Sequence, residues 1–269
     1  MEQFFKNKNI VNGLELNTPI YKFFPLKYIS ALLQGNLYVG KVSSWEDVYE
    51  NFLFKQRFSL EDRTPVSADS LIRCNFGQSW TKSDETDAMW RIYSRIPEKR
   101  ICSGDFHELD NVAVRIKTTA QKLYDAVYTD DSCMISTYIG SVEYNSLNSI
   151  YQWLSNLKLS VGNLAMTMTQ SLFLKRQEFS HEEEVRIIIS YATDDPRINN
   201  DIIIFQINPN SFIEEILIDP RLIGTELETV IREQLIDMGA QDNKIHTSQM
   251  YNFTPCAQPI LIKKDLMNH

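Results

Sequence analysis

Apolar and polar positions along the chain change period repeatedly, and each change marks an element. Ile20–Phe24 is a short aromatic run before Pro25, which predicts a strand. Leu26, Ile29, Leu32 and Leu33 then recur at helical spacing between Pro25 and Gly35, so a helix follows, and Leu37–Val39 resumes as a strand. Leu71–Trp80 reads as extended. Asp84–Ser94 reads as a helix with Met89, Trp90 and Tyr93 on one stripe. Val112–Lys117 alternates as a strand and Thr118–Val127 continues as a helix. Met134–Val142 predicts another strand, Ile150, Trp153, Leu154 and Leu157 a helix, and Leu164–Leu174 a further one.

The last third is patterned more sharply. Val185–Ser190 and Ile202–Ile207 are β-branched runs separated by the loop Thr193–Asp201, which predicts an antiparallel pair. Phe212–Ile218 predicts a third strand. Thr225 and Glu228 have the spacing of a capping box ahead of Leu227, Val230, Ile231, Leu235 and Met238, with Gly239 closing the helix, and Lys244–Gln249 predicts a last strand. Strands and helices are interspersed without regular alternation. The expected fold class is therefore α+β, with a mixed, mostly antiparallel sheet flanked by helices. No repeat of 20–50 residues and no low-complexity linker divides the chain, so residues 1–269 are expected to form one domain.

Composition narrows the chemistry. The 269 residues carry 27 Lys+Arg against 35 Asp+Glu, a net charge of −8, which argues against broad, sequence-independent nucleic-acid binding and leaves room for one short strand in a local basic pocket. Cys74, Cys102, Cys133 and Cys256 are far apart, with no C-x-x-C, and predict neither a zinc ribbon nor a disulfide framework. The N-terminus lacks the pattern of a signal peptide, and apolar runs such as Ile202–Phe205 are far short of the ~20 residues that span a bilayer. The expectation is a cytoplasmic protein with no membrane partner. Phosphate-loop, dinucleotide-fold, nucleophile-elbow and zinc-helix motifs are all missing, and His107, His181, His246 and His269 show no metal spacing, so no metal site is expected.

Three segments carry candidate chemistry. In the first, Lys175 and Arg176 precede Glu182-Glu183-Glu184-Val185-Arg186. If a strand starts near Glu182, then Glu182, Glu184 and Arg186 share one face while Val185, Ile187 and Ile189 take the core. Two readings stand: exposed ion pairs worth little, or the polar floor of a site with one carboxylate oriented by Arg186. In the second, Ser79, Trp80 and Thr81 end a strand that feeds the helix bearing Trp90 and Tyr93; those aromatics read either as core or as a wall beside a nucleotide. In the third, Tyr21 and Lys22 place a cation at a strand end, either solvated or near phosphates.

At these residues the chain resembles the bacterial domain-of-unknown-function family numbered 2971. The matching marks, in order over about residues 20–220, are Tyr21-Lys22-Phe23 with a helix ending at Gly35, Ser79-Trp80, Ala88-Met89-Trp90 with Tyr93, Val112–Thr119, Ile139-Gly140-Ser141-Val142-Glu143-Tyr144, and Lys175-Arg176 with Glu182, Glu184 and Arg186. Ser44–Val48 departs from the family's Asn-Asp-Pro, and Arg95–Asp110 is longer than the family's link. The order of parts is also similar to that of ADP-ribosyltransferases, with Lys22 standing where those enzymes carry Arg or His.

That second resemblance implies an ADP-ribosyltransferase-like fold and transfer of ADP-ribose from NAD, which is a substrate and not a redox cofactor. It implies Glu184 at the ribose, Glu182 orienting or deprotonating the acceptor, Arg186 fixing the carboxylate or contacting a phosphate, and Lys22 meeting the pyrophosphate. Tyr21, Ser79, Trp80, Thr81, Trp90, Tyr93, Lys175 and Arg176 would complete substrate binding. It also implies a toxin-like or antiphage effector, acting on a protein or nucleic acid, with a partner protein from a defence or toxin–antitoxin operon. The alternatives are a nucleotide- or protein-binding sensor without catalysis, and another nucleotide-processing enzyme using the same carboxylates.

Overall fold

The structure, a computed structural model, describes residues 9–47, 49–67, 72–97, 109–128, 135–160, 163–255, 257–258 and 260. Cys102, Cys133, Cys256, His107, His269, Leu71, Met134, Val48 and most of the Arg95–Asp110 link lie outside these residues. The strands are β1 (Ile10–Val11), β2 (Pro19–Pro25), β3 (Asn36–Lys41), β4 (Phe58–Ser59), β5 (Pro65–Val66), β6 (Asn75–Thr81), β7 (Ala113–Thr119), β8 (Ile135–Ser141), β9 (Glu143–Asn145), β10 (Leu174–Arg176), β11 (Glu184–Tyr191), β12 (Ile202–Gln206), β13 (Glu215–Ile218) and β14 (Ile245–Thr247). Among the described residues ten of them form one sheet in the order β1-β8-β11-β6-β2-β7-β13-β14, with β3 on β6 and β12 on β3. Its pairs are antiparallel except β1 with β8 and β13 with β14. The fold is the mixed, mostly antiparallel α+β arrangement that the patterning predicts.

Each face of the sheet is covered. On one face Val185, Ile187 and Ile189 join Ile20, Phe76, Trp80 and Ile139 in the large core, which the helices Leu26–Leu33, Ala120–Val127 and Glu226–Asp237 close. On the other face Ile188 packs with Phe52, Leu53, Phe54 and the helices Leu147–Ser155 and Leu164–Ser171. Phe23, Met89, Trp90 and Leu217 form a smaller cluster there.

Several elements differ from the sequence expectation. β11 and β12 do not pair: β11 lies between β6 and β8, and β12 pairs with β3. A β-branched run specifies a strand and not its neighbour. β11 is buried on both faces and takes two neighbours, whereas Ile202 and Ile204 are half exposed on β12. Phe212 ends a helical turn, Pro209–Phe212, with Pro at its first position, and the strand starts only at Glu215. The 164–174 segment divides, its helix stopping at Ser171 and β10 starting at Leu174. Thr225 does precede a helix, but its hydroxyl donates to the Leu222 carbonyl, and Glu228 accepts from the Gly224 N–H, so no reciprocal capping box forms.

The sheet opens at one place. One edge of β6 is shared, with β3 pairing at Gly77 and Phe76 and β2 touching only where Tyr21 meets Thr81. Between these contacts β2 and β6 splay apart. The Gln78 side chain donates to the Tyr38 carbonyl at 3.0 Å, and Lys22 Nζ donates to the Ser79 carbonyl at 2.7 Å, so the backbone left unpaired by the splay is served by side chains. The turn from helix to β3 needs Gly35, whose φ is +89° and whose added Cβ would meet the Ile207 carbonyl at 2.8 Å.

Candidate active site

A cavity of about 560 Å³ opens at the splay, within the range that suits a nucleotide-sized ligand. Its floor follows from strand register. Tyr21 on β2 faces Thr81 on β6, and Thr81 faces Glu184 on β11, so these three side chains form one row across three strands. Ser79 faces Arg186 in the next row, and Gly77 faces Ile188 beyond it. Alternation places all of them on the face opposite the large core.

Glu182 is not part of that row. It ends a 3-10 segment, Gln177–Glu182, and Glu183 takes a left-handed φ of 43° before β11 starts at Glu184. The shared strand face expected for Glu182, Glu184 and Arg186 therefore holds for the last two alone. The turn nonetheless returns Glu182 to the cavity, because β10 pairs with β9 and sets Lys175 between the two carboxylates. Lys175 Nζ donates to Glu182 Oε2 at 2.7 Å and to Glu184 Oε1 at 2.5 Å.

Arg186 lies under this layer, 1% exposed, instead of on a solvent-facing surface. Its Nε donates to Glu184 Oε2 at 2.7 Å, its Nη2 to Glu184 Oε1 at 3.2 Å and its Nη1 to the Leu172 carbonyl at 2.7 Å. Nη2 also donates to Glu50 Oε1, and the Trp45 ring covers the guanidinium at 4.5 Å. Gly77 is what lets Trp45 approach: an added Cβ would stand 2.8 Å from Ile188 Cδ1 and 2.9 Å from the Trp45 ring. Three carboxylates (Glu50, Glu182, Glu184) thus surround two cations, with Lys175 also 3.2 Å from Glu50.

The charges divide the two neighbouring carboxyls. Burial works against ionised Glu184, but the charge and hydrogen bonds of Arg186, with Lys175 behind them, hold its carboxyl well below the usual carboxylate range. Burial, together with the hydrogen bond to Glu184, raises Glu182 to about 7. The pair therefore keeps its proton on Glu182. Lys22, half buried, is lowered to about 8 by burial, with Glu184 pulling the other way. Burial and the charges of Glu182 and Glu184 raise the Tyr93 phenol to about 12. Tyr93 stacks on Phe23 with centroids 5.9 Å apart, and the guanidinium of Arg115 lies 4.7 Å from the centre of the Tyr21 ring.

Of the residues the sequence singled out, Tyr21, Lys22, Ser79, Trp80, Thr81, Tyr93, Lys175, Glu182 and Glu184 border the one cavity. The Trp80 ring itself is buried in the large core. Trp90, Arg176 and Arg186 stand outside the lining. Trp90 is fully buried edge-on to Phe23 at 4.8 Å, so it is core and offers no stacking face. Arg176 pairs with Asp47 at 2.9 Å between the rings of Tyr49 and Phe179 and fastens the loop after β3. That loop supplies Ser44, Trp45, Glu46 and Glu50 to the cavity, and sequence reasoning missed them. Among the described residues no cluster of His, Cys, Asp or Glu is arranged to hold a metal ion, and no helix is long and apolar enough to cross a membrane.

No family model matches the chain, so the resemblance to the family numbered 2971 finds no support there, and no curated protein matches it. Solved structures that align with it include the Thermus sp. 2.9 DarT in complex with NAD+, at a TM-score of 0.37 and 11% identity, over 89% of this chain and 99% of that chain. The same protein in complex with ADP-ribosylated ssDNA aligns at a TM-score of 0.36 and 12% identity, over 88% of this chain and 97% of that one. A likeness this faint assigns no chemistry, and the reading of the site stands on its own geometry.

Proposed function

We propose that the protein transfers ADP-ribose from NAD, with NAD as a consumed substrate. The observation that carries the reading is the meeting of Glu184, Glu182, Ser79 and Lys22 on one open cavity of about 560 Å³. In such a transfer the bond between nicotinamide nitrogen and ribose C1′ breaks, nicotinamide leaves neutral, and positive charge develops on the ribose, as in glycoside cleavage. Glu184, held ionised by Arg186 and Lys175, stabilises that charge. Glu182, titrating near neutrality, accepts the proton of the attacking acceptor. Lys22 is placed to meet a phosphate from the splayed edge. Tyr21 and Tyr93 offer ring faces, and Ser79 and Thr81 offer hydroxyls.

The test is nicotinamide release and label transfer from labelled NAD in cell extract, comparing the parent with Glu184→Gln. The expected loss is about 100-fold or more. Absence of both products with the parent protein overturns the reading. One observation favours a second reading, nucleotide binding without turnover: Glu184 is 5% exposed and both its oxygens are engaged. Saturable NAD binding by calorimetry with no nicotinamide released would select it.

A further inference from the structure

The carboxylate that the sequence did not reveal, Glu50, is built into place with care. It is 7% exposed, although it lies in the irregular segment after β3. Its backbone N–H donates to the Asp47 carbonyl at 2.9 Å, and its own carbonyl accepts from Lys55 Nζ at 3.1 Å. The next residue, Asn51, takes a φ of 60°, and its side-chain amide donates to the Val42 carbonyl at 2.6 Å. Left-handed backbone at a non-glycine residue is costly and needs surrounding structure to hold it. What this arrangement achieves is to aim one carboxylate at the edges of Arg186 and Lys175 that Glu184 leaves uncovered.

We propose that Glu50 is a positioning residue for the transfer chemistry: it fixes the outer edge of Arg186 so that the Nε edge stays on Glu184, and it brings a third negative charge to two cations, so that the cluster retains one exchangeable proton for Glu182. The proposal rests on the transfer reading for its catalytic part, but the charge count does not depend on turnover. The groups that act on Glu182 are Glu184 of β11, Lys175 of β10, Tyr144 of β9 and Tyr93 of the helix Asp87–Tyr93, while Glu50 of the loop and Arg186 of β11 face its partners Lys175 and Glu184. Glu50 and Glu182 share Lys175, so removing the charge of Glu50 leaves Lys175 fewer carboxylates to serve. That change favours ionised Glu182.

The test is a carboxyl ¹³C NMR titration of protein labelled at glutamate, with the Glu182 signal assigned by its loss in Glu182→Gln. In Glu50→Gln the Glu182 midpoint is expected to fall by about one pH unit. In Glu50→Asp, which keeps the charge, it is expected to stay near the parent value. An unmoved midpoint in folded Glu50→Gln overturns the proposal whether or not the protein turns NAD over. If the parent releases nicotinamide, the rising limb of kcat/KM against pH moves with the same midpoint in Glu50→Gln, and kcat falls about tenfold while KM for NAD holds. A fall in kcat with the limb fixed means a structural role only and sinks the positioning role. If the parent releases none, the transfer reading fails, and the NMR midpoint still decides the charge count. Should Glu50→Gln not fold, Glu50→Asp decides: its charge stays beside Lys175 while its shorter reach frees the outer edge of Arg186, so the Glu184 carboxyl signal shifts as the Glu182 midpoint holds, and a Glu184 signal identical to that of the parent overturns the proposal.

Discussion

Arg186→Met tests whether the buried cluster is an electrostatic device or mere packing. Methionine is unbranched and adaptable, so it fills most of the space under Trp45 and leaves little cavity. It removes four donated hydrogen bonds: two to Glu184, one to Glu50 and one to the Leu172 carbonyl. Lys175 is left to serve three carboxylates. Breaking a buried pair by deleting one partner costs about 3–5 kcal/mol. At about 2–4 °C per kcal/mol for a chain somewhat smaller than this one, the melting temperature at pH 7 should fall by about 10 °C. The pH dependence carries the sharper information. In the parent, the folded-state carboxyl of Glu184 titrates below its unfolded value of about 4.3, so its ion pairs add stability above that value, and the gain is lost as the pH falls toward the folded value. In the variant, burial without Arg186 raises the folded value, so the ionised carboxylate costs stability at pH 7, and protonation relieves it on acidification. Thermal unfolding followed by circular dichroism at pH 7 and pH 4.5 should therefore show a gap between parent and variant that narrows markedly at the lower pH. An equal gap at both values would refute the electrostatic account and assign the loss to packing.

Lys22→Met should weaken NAD binding by about tenfold, or ~1.4 kcal/mol. The parent's affinity, measured by calorimetry, should decline as the pH rises through about 8 while the variant's stays flat, because the protonated amine binds phosphate and is lost above its lowered value. Gly77→Ala should cost about 1–3 kcal/mol, because the new Cβ collides with Ile188 and the Trp45 ring. Since it lifts Trp45 from Arg186, it should also weaken NAD binding, which a merely overpacked core would leave intact.

How much of this was legible in the chain depended on how local each determinant is. Ile20–Phe24, the Leu26–Leu33 helix and the alternation of Val185, Ile187 and Ile189 are set by neighbours within a few residues, and those elements form where the pattern puts them. The residue types along Tyr21-Lys22, Ser79–Thr81 and Lys175–Glu184 pointed to one polar cluster, and these segments do converge on one cavity. What failed depended on a backbone turn or on distant contacts. Nothing in Glu182-Glu183-Glu184 announces that Glu183 adopts a left-handed conformation, so alternation alone starts the strand two residues early, at Glu182 instead of Glu184. The β11–β12 pairing failed because partner choice is a property of the whole sheet. Trp90 sits on the same helical stripe as Tyr93, and only the position of Phe23 decides that one is core and the other borders the cavity. Glu50 was invisible because no periodicity acts in its loop. A charge count gives no hint either, since Lys175 and Arg186 already balance Glu182 and Glu184 two against two.

That third carboxylate bears on what the cluster is for. A buried ion network is an uneconomical source of stability, since apolar residues of the same volume often do as well or better. What apolar residues cannot supply is a directed field. Here Arg186, at 1% exposure, lies under the carboxylates, Lys175 at 8% borders the cavity between Glu182 and Glu184, and Glu182 is the most exposed member of the cluster at 17%. With Glu182 ionised, three carboxylates against two cations give the floor a net negative charge. A further cation, Lys22, stands across the splay with its Nζ on the Ser79 carbonyl. A ligand that is cationic where it meets the floor and anionic where it meets the splay matches this polarity, and NAD at the moment its ribose becomes positive is such a ligand. The same argument disfavours at the floor a group that becomes more negative as it reacts, because fixed carboxylates destabilise developing negative charge as they stabilise positive charge.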